Sequence, residues 1–125
     1  MDNIHFEARD VNPWAEYVDA NDLVEGRTYF TVDFVDPEML VPELLPLVFI
    51  GVDLEPGDSR ILYFQDASSY IAGTRYGWTP PSDDTDVVPA AFQAIERDSP
   101  FVQTFEQALN SLLRCSVARC KAGIE

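Results

Sequence analysis

The stretch LVFIGVDLEPGDSRILYFQ, Leu47 to Gln65, constrains this chain more than any other. Leu47 to Leu54 is a nearly continuous apolar run rich in β-branched residues, and Ile61 to Gln65 returns after the turn chemistry of Glu55-Pro56-Gly57-Asp58. Proline presets φ in such a turn, and glycine accepts the positive φ that follows. Strand, turn and strand at this spacing predict an antiparallel hairpin. On the returning segment Leu62 and Phe64 share one face, and Ile61 and Tyr63 share the other. Both faces are partly apolar, so both are expected to be covered.

Upstream, Arg27 to Val35 alternates, with Phe30, Val32 and Phe34 on one face and Tyr29, Thr31 and Asp33 on the other, and reads as a half-buried strand. Asp36 to Pro46 holds Pro37, Pro42 and Pro46, which argue for a loop with at most one helical turn. In the first 26 residues, Asn12 and Pro13 have the form of an N-cap and a first helical position. A short helix from Pro13 to about Ala20 would set Trp14, Tyr17 and Val18 on one side.

Past the hairpin, Asp66-Ala67-Ser68 reads as a polar break, Ser69 to Ala72 as a short fourth strand, and Gly73 and Gly77 as turn positions. Pro80 to Asp86 is a surface loop by composition. Residues 87–97 fit either a helix from Pro89 or an edge strand. In SPFVQTFEQALNSLLRC, Ser99 caps and Pro100 opens a long helix, with Phe101, Phe105, Ala108, Leu109, Leu112 and Leu113 as its apolar stripe. Arg114, Arg119 and Lys121 near its end suit the helix dipole, and Gly123 stops it.

These segments read as one globular domain over residues 1–125. It comprises an N-terminal segment (1–26) with a short helix, a β-rich core (27–78), a loop and short element (79–98), and a C-terminal helix (99–122). The expected class is α+β: a small antiparallel sheet or partly open barrel of about four or five strands, with the amphipathic helix packed on it. A chain of 125 residues with 46% apolar and 12% aromatic content can build such a core without staples.

Cys115 and Cys120 sit five apart, which on a helix separates them by about 140° and roughly 8–9 Å. That exceeds the reach of a disulfide, so two free thiols are expected, unless the helix ends before Cys120 and the tail folds back. The start of the chain lacks the basic and apolar regions of a signal peptide, and the longest strongly apolar run, Leu45 to Val52, is too short to span a bilayer. The expectation is a cytoplasmic protein that does not enter membranes.

Formal net charge is −14. Residues 1–60 carry 14 acids against Arg9, Arg27 and Arg60, whereas residues 61–125 carry 8 against five basic residues. Such a chain repels a phosphate backbone and has no basic patch interleaved with aromatics, which argues against nucleic-acid binding. The charge serves solubility, or it matches a basic partner and speeds encounter with it.

Most catalytic chemistries lack their residues. The single histidine, His5, stands in a terminal segment, and no G-x-S-x-G elbow surrounds a serine. One histidine and two cysteines, widely separated, do not make a zinc site. The stretch from Asp19 begins like a calcium loop with Asp19 and Asn21, but Val24 stands where glycine is required and Phe30 where glutamate is required. No phosphate-binding glycine motif is present. Neither a metal nor a cofactor is expected, and the reading leans away from an enzyme.

What remains is an aromatic set. Tyr63, Tyr70, Tyr76 and Trp78 fall within sixteen residues, with Arg75 among them. Tyrosine, tryptophan and arginine dominate protein–protein hot spots, although aromatics are also ordinary strand residues. The expected interaction residues are Tyr63, Tyr70, Arg75, Tyr76 and Trp78, with the neighbouring acids Asp83, Asp84 and Asp86. The leading functional expectation is a non-catalytic acidic domain, of inhibitor or immunity type, that binds a protein with a basic surface. The alternative is a small-molecule-binding domain or small enzyme with a pocket between sheet and helix, lined by Tyr63, Tyr70 and acids. A nucleic-acid mimic, with carboxylates in rows along one face, is a third reading.

Overall fold

The computed structural model describes residues 3–5, 8–77, 89–99 and 101–124. Within them β1 (Thr28–Phe34), β2 (Pro42–Val52), β3 (Ile61–Asp66) and β4 (Phe92–Glu96) form one antiparallel sheet in sequential order. Helix α1 (Ala67–Ile71) follows β3, helix α2 (Phe105–Lys121) closes the chain, and a single 3₁₀ turn spans Ala20–Asp22. The sheet stays open instead of closing into a barrel, and α2 packs along β1, so the architecture is α+β.

The central hairpin forms as its residues predict. Asp58 N–H donates to the Glu55 carbonyl at 3.2 Å, and Gly57 takes φ 86°. The register shifts between Phe49, opposite Phe64, and Gly51, opposite Tyr63, leaving Ile50 as an extra residue. Such a bulge bends and twists the strand locally.

Cross-strand register explains the core. Tyr29 faces Leu47, Phe49 faces Phe64, and Leu62 faces Ile95. Tyr29, Leu47, Phe49, Leu62, Phe64 and Val102 form one buried cluster, with Val18, Ala20, Leu23 and Phe101 packed against it. Phe64 meets Phe49 and Phe101 at ring separations of 5.5 and 5.6 Å. Tyr29 and Thr31 are the buried residues of β1, while Phe30, Val32 and Phe34 are only half-buried. Tyr29 can be buried because its hydroxyl accepts the Val24 N–H at 2.9 Å, which satisfies the polar tip.

Several local expectations give way to tertiary hydrogen bonding. Residues 13–19 are not helical, and Ala20 only opens the 3₁₀ turn. Carbonyls along this segment are taken by distant donors: Arg114 bonds Asn12 and Trp14 at 3.2 and 2.9 Å, and Gln103 bonds Glu16 at 2.8 Å. Val18 N–H donates to Val102 at 2.9 Å, so the segment runs as an extended strap. For the same reason α2 starts at Phe105 and not after Ser99; Pro100 lies outside the described residues. Gln103 exchanges backbone bonds with Phe30 at 2.8 and 2.7 Å, which holds 101–104 extended. Thr104 and Gln107 then form a capping box. The buried stripe of α2 is Ala108, Ser111 and Cys115, narrower and smaller than the expected leucine stripe.

Ser69–Ala72 is not a strand. The Asp66 carboxylate accepts the Ser69 N–H at 3.0 Å and the Ser69 hydroxyl at 2.6 Å, making an N-cap that starts α1. Residues 92–96 resolve as the edge strand β4.

β2 begins at Pro42, inside the stretch expected to be a loop, and includes Pro46. Because Phe30 spends its N–H and C=O on Gln103, it forms a non-hydrogen-bonded pair with Pro46. By alternation the nitrogens of Pro42, Leu44 and Pro46 all point away from β1. The prolines therefore cost the β1–β2 ladder nothing, as their position in a sheet requires.

Candidate functional site

The aromatic set gathers on the side of β3 opposite the main core, but largely to hold the protein together. Tyr63 is only 6% exposed, and its hydroxyl donates to Asp58. The ring of Tyr76 stands between Tyr63 and Phe92, at centroid distances of 5.6 and 5.1 Å, and its hydroxyl donates to Glu55. Two tyrosines thus grip the Glu55–Asp58 turn at both ends. Hydrogen bonding to Asp58, aided by desolvation, pushes the Tyr63 phenol well above its ordinary value. The bond to Glu55, again with desolvation, raises Tyr76 to about 12.

Arg75 is exposed, with its guanidinium 3.8 Å from the centre of the Tyr70 ring. It also donates to the carbonyls of Tyr70 and Thr74 at 2.7 and 2.9 Å. Stacking and carbonyl bonds fix it as a brace for the turn after α1. Trp78, Asp83, Asp84 and Asp86 lie outside the described residues. The structure therefore brings Tyr63, Tyr70, Arg75 and Tyr76 together, with Tyr63 withdrawn from any contact surface.

Beside this cluster lies an open groove of about 450 Å³ bordered by Glu25, Ile50, Leu54, Tyr70, Arg75 and Tyr76. Gln65, fully buried, lies at its edge and donates from Nε2 to the Ser69 hydroxyl and the Thr74 carbonyl, both at 2.9 Å. The Thr74 carbonyl can only accept, so it is the amide nitrogen and not the oxygen that faces it. Gln65 Oε1 is left buried without a hydrogen-bond partner.

A second surface, which the sequence reading passed over as a loop, is the tip of the β1–β2 hairpin. Asp36 accepts the Leu40 N–H at 3.0 Å and the Val41 N–H at 2.8 Å, and Val35 N–H donates to the Val41 carbonyl at 3.0 Å. Burial opposes ionisation of Asp36, but these amides and the nearby Arg119 outweigh it and hold the carboxyl below its ordinary value. Arg119 reaches from α2 to the Leu40 carbonyl at 2.5 Å, and Cys115 Sγ–H points at the Met39 and Leu40 carbonyls at 3.6 Å. Met39 is held at φ 60°, a conformation unusual for a residue with a side chain. Yet the side chains at this braced tip face solvent: Val35 is 66% and Met39 57% exposed, and Val41, Leu44 and Leu45 are exposed as well. The legible signal was Met39, Leu40 and Val41 in succession between two prolines, where a solvated loop would carry polar residues.

Among the described residues the carboxylates are mostly unpaired. Only Arg9–Glu106, at 2.7 Å, and Arg60–Asp98, at 2.6 Å, are ion pairs, and both are on the surface. His5 is exposed, Cys120 is an exposed free thiol, and Cys115 is a buried one. No group of three or more His, Cys, Asp or Glu is placed to hold a metal among the described residues, and no helix there is long and apolar enough to cross a membrane. Comparison with protein-family models, curated proteins and solved structures finds no match to this chain.

Proposed function

We propose that this chain is a non-catalytic protein-interaction domain that docks an acidic, partly apolar surface on a basic protein, in the manner of an inhibitor or immunity protein. The observation that carries this reading is the combination of unpaired carboxylates with large exposed apolar side chains. Unpaired anions give a long-range field that steers a cationic partner, and the apolar groups between them supply the short-range attraction that charge alone does not. The test is affinity for a basic protein partner measured across ionic strength. Binding that weakens steeply with added salt supports the reading, because exposed pairs are screened within about 10 Å at 0.1 M salt. Binding that persists unchanged at high salt removes its electrostatic basis.

The groove beside Arg75 supports a second reading, a small-molecule site. Its favouring observation is the unpartnered Gln65 Oε1 at the groove's edge, since buried acceptors are ordinarily satisfied. A ligand screen read by chemical-shift changes at Tyr70, Arg75 and Tyr76 decides it. Hits lost in Arg75→Ala support the pocket, and a screen without hits rejects it.

A further inference from the structure

The hairpin tip is braced against α2, yet it turns large apolar side chains outward. Its backbone is rigid: Asp36 ties two amides, α2 ties two carbonyls, and Met39 is held in a left-handed conformation. Such conformations persist only where the surroundings over-determine them. The result is a fixed scaffold that holds Val35, Met39 and Val41 out into water, with Leu44 and Leu45 further along β2. A loop kept for solubility would do the reverse.

The charge around the tip is predominantly negative. Asp33, Glu38 and Glu43 are exposed beside the apolar residues, and no Lys, Arg or His occurs between Arg27 and Arg60. Arg119, which approaches from α2, is engaged with the Leu40 carbonyl. A second copy docking tip to tip would set these carboxylates against one another, and an anionic lipid surface would be repelled. A cationic surface with an apolar centre meets both components.

The mode of contact also follows. On the edge of β2 turned away from β1, Pro42 and Pro46 have no N–H, so from Pro42 to Pro46 only Leu44 offers a donor. Strand addition needs a regular ladder of donors and acceptors, and the prolines interrupt it. Recognition along this edge of β2 therefore runs through side chains.

Resting on the protein-binding reading above, we propose that the tip of the β1–β2 hairpin is the docking surface, and that its occupant is a basic protein whose cations meet Asp33, Glu38 and Glu43 around an apolar contact on Val35, Met39 and Val41. The Met39 thioether side chain, unbranched and polarisable, adapts to the partner's relief.

The experiment titrates isotope-labelled full chain with a short amphipathic peptide of leucine and lysine, with a leucine–glutamate peptide as control. Expected are chemical-shift changes concentrated on Val35, Met39, Val41, Leu44 and Leu45 with the basic peptide and none with the acidic one. The double variant Val35→Ser/Met39→Asn keeps its fold, because serine replaces an exposed valine and asparagine tolerates the left-handed position. It should bind at least about tenfold more weakly, the size of a hot-spot loss. Shifts centred elsewhere, or full affinity in the double variant, overturn the tip assignment while leaving an acidic binding domain intact. No binding of the basic peptide at low salt overturns both. Tip shifts that grow with protein concentration in the absence of peptide assign the surface to a second copy and overturn the basic occupant.

Discussion

The carboxylate of Asp66 accepts the backbone N–H of Ala91, 25 residues later, at 2.8 Å, while the Asp66 N–H donates back to the Ala91 carbonyl at 3.0 Å. The same carboxylate caps α1 through Ser69. One side chain thus ends β3, starts α1 and anchors the chain entering β4. Replacing it by alanine removes a cap and returns the Ala91 amide to water, at a cost of roughly 0.5–2 kcal/mol. Asp66→Asn, which keeps an acceptor, should lose less. Urea unfolding measures both, and a loss below a few tenths in Asp66→Ala would contradict the role assigned here.

Acid should weaken the fold through two aspartates. Burial opposes the charged form of Asp66, but the Ser69 hydroxyl and the Ala91 and Ser69 amides overcome it, leaving the carboxyl below its ordinary value. Asp36 is shifted the same way by the tip amides and Arg119. A depressed folded value means that the stabilisation is fully present above the unfolded value of about 3.9 and is lost as pH falls through the folded value. Asp36→Asn and Asp66→Asn should each flatten the acid limb of a stability–pH curve. An unchanged slope in both would show that these carboxylates are not responsible.

The alkaline limb has the opposite sign. Tyr63 and Tyr76 have raised values, so their stabilisation is intact below the unfolded value of about 10 and is lost as pH climbs through the folded values, about 12 for Tyr76. Phenolate absorbance should show a late step, above the unperturbed tyrosine value of about 10, from these two. Tyr63→Phe together with Tyr76→Phe should remove the late step.

Phe64 is 1% exposed and touches Phe49 and Phe101, whereas Phe105 is 64% exposed and meets only the Phe30 ring edge-on among the described aromatic pairs. Phe64→Ala should cost about 3–5 kcal/mol, and Phe105→Ala about 1 kcal/mol or less. Equal losses in chemical denaturation would mean that the two faces of the sheet have been mis-weighted.

The thiols should separate by accessibility. A thiol reagent should label Cys120 in the folded protein and reach Cys115 only on unfolding, because Cys115 is buried against the hairpin tip. Mass spectrometry after brief labelling reads this directly.

The parts of this fold that follow from short-range chemistry were legible. The Glu55–Asp58 turn, the hairpin around it and the existence of a C-terminal helix need only neighbours along the chain. The parts that were misread depend on partners far away. Pro13–Ala20 has a helix start, yet its carbonyls are taken by Gln103 and Arg114. Ser99 and Pro100 look like a cap, yet Gln103 is spent on Phe30 and Thr104 caps instead. At Ser69 the β-propensity of Tyr70 and Ile71 loses to a carboxylate three residues earlier. Of the expected interaction residues, Tyr63 is buried, which the sequence did not reveal because a tyrosine in a strand shows its ring chemistry but not whether its hydroxyl already has a partner. The hairpin tip was hidden by its prolines, which signal a loop without revealing that β2 runs through them.

The extended strap also sets an order of events for folding. Its hydrogen bonds run to Val102, Gln103 and Arg114, all supplied by the far end of the chain. During synthesis the sheet can begin to pair while residues 12–18 have nowhere to settle, so one flank of the core stays wet until the last helix arrives. Completion is then a long-range closure step, slow relative to hairpin formation, and a chain cut short before Phe101 would leave Val18, Leu23 and the apolar surface beneath them uncovered and prone to stick.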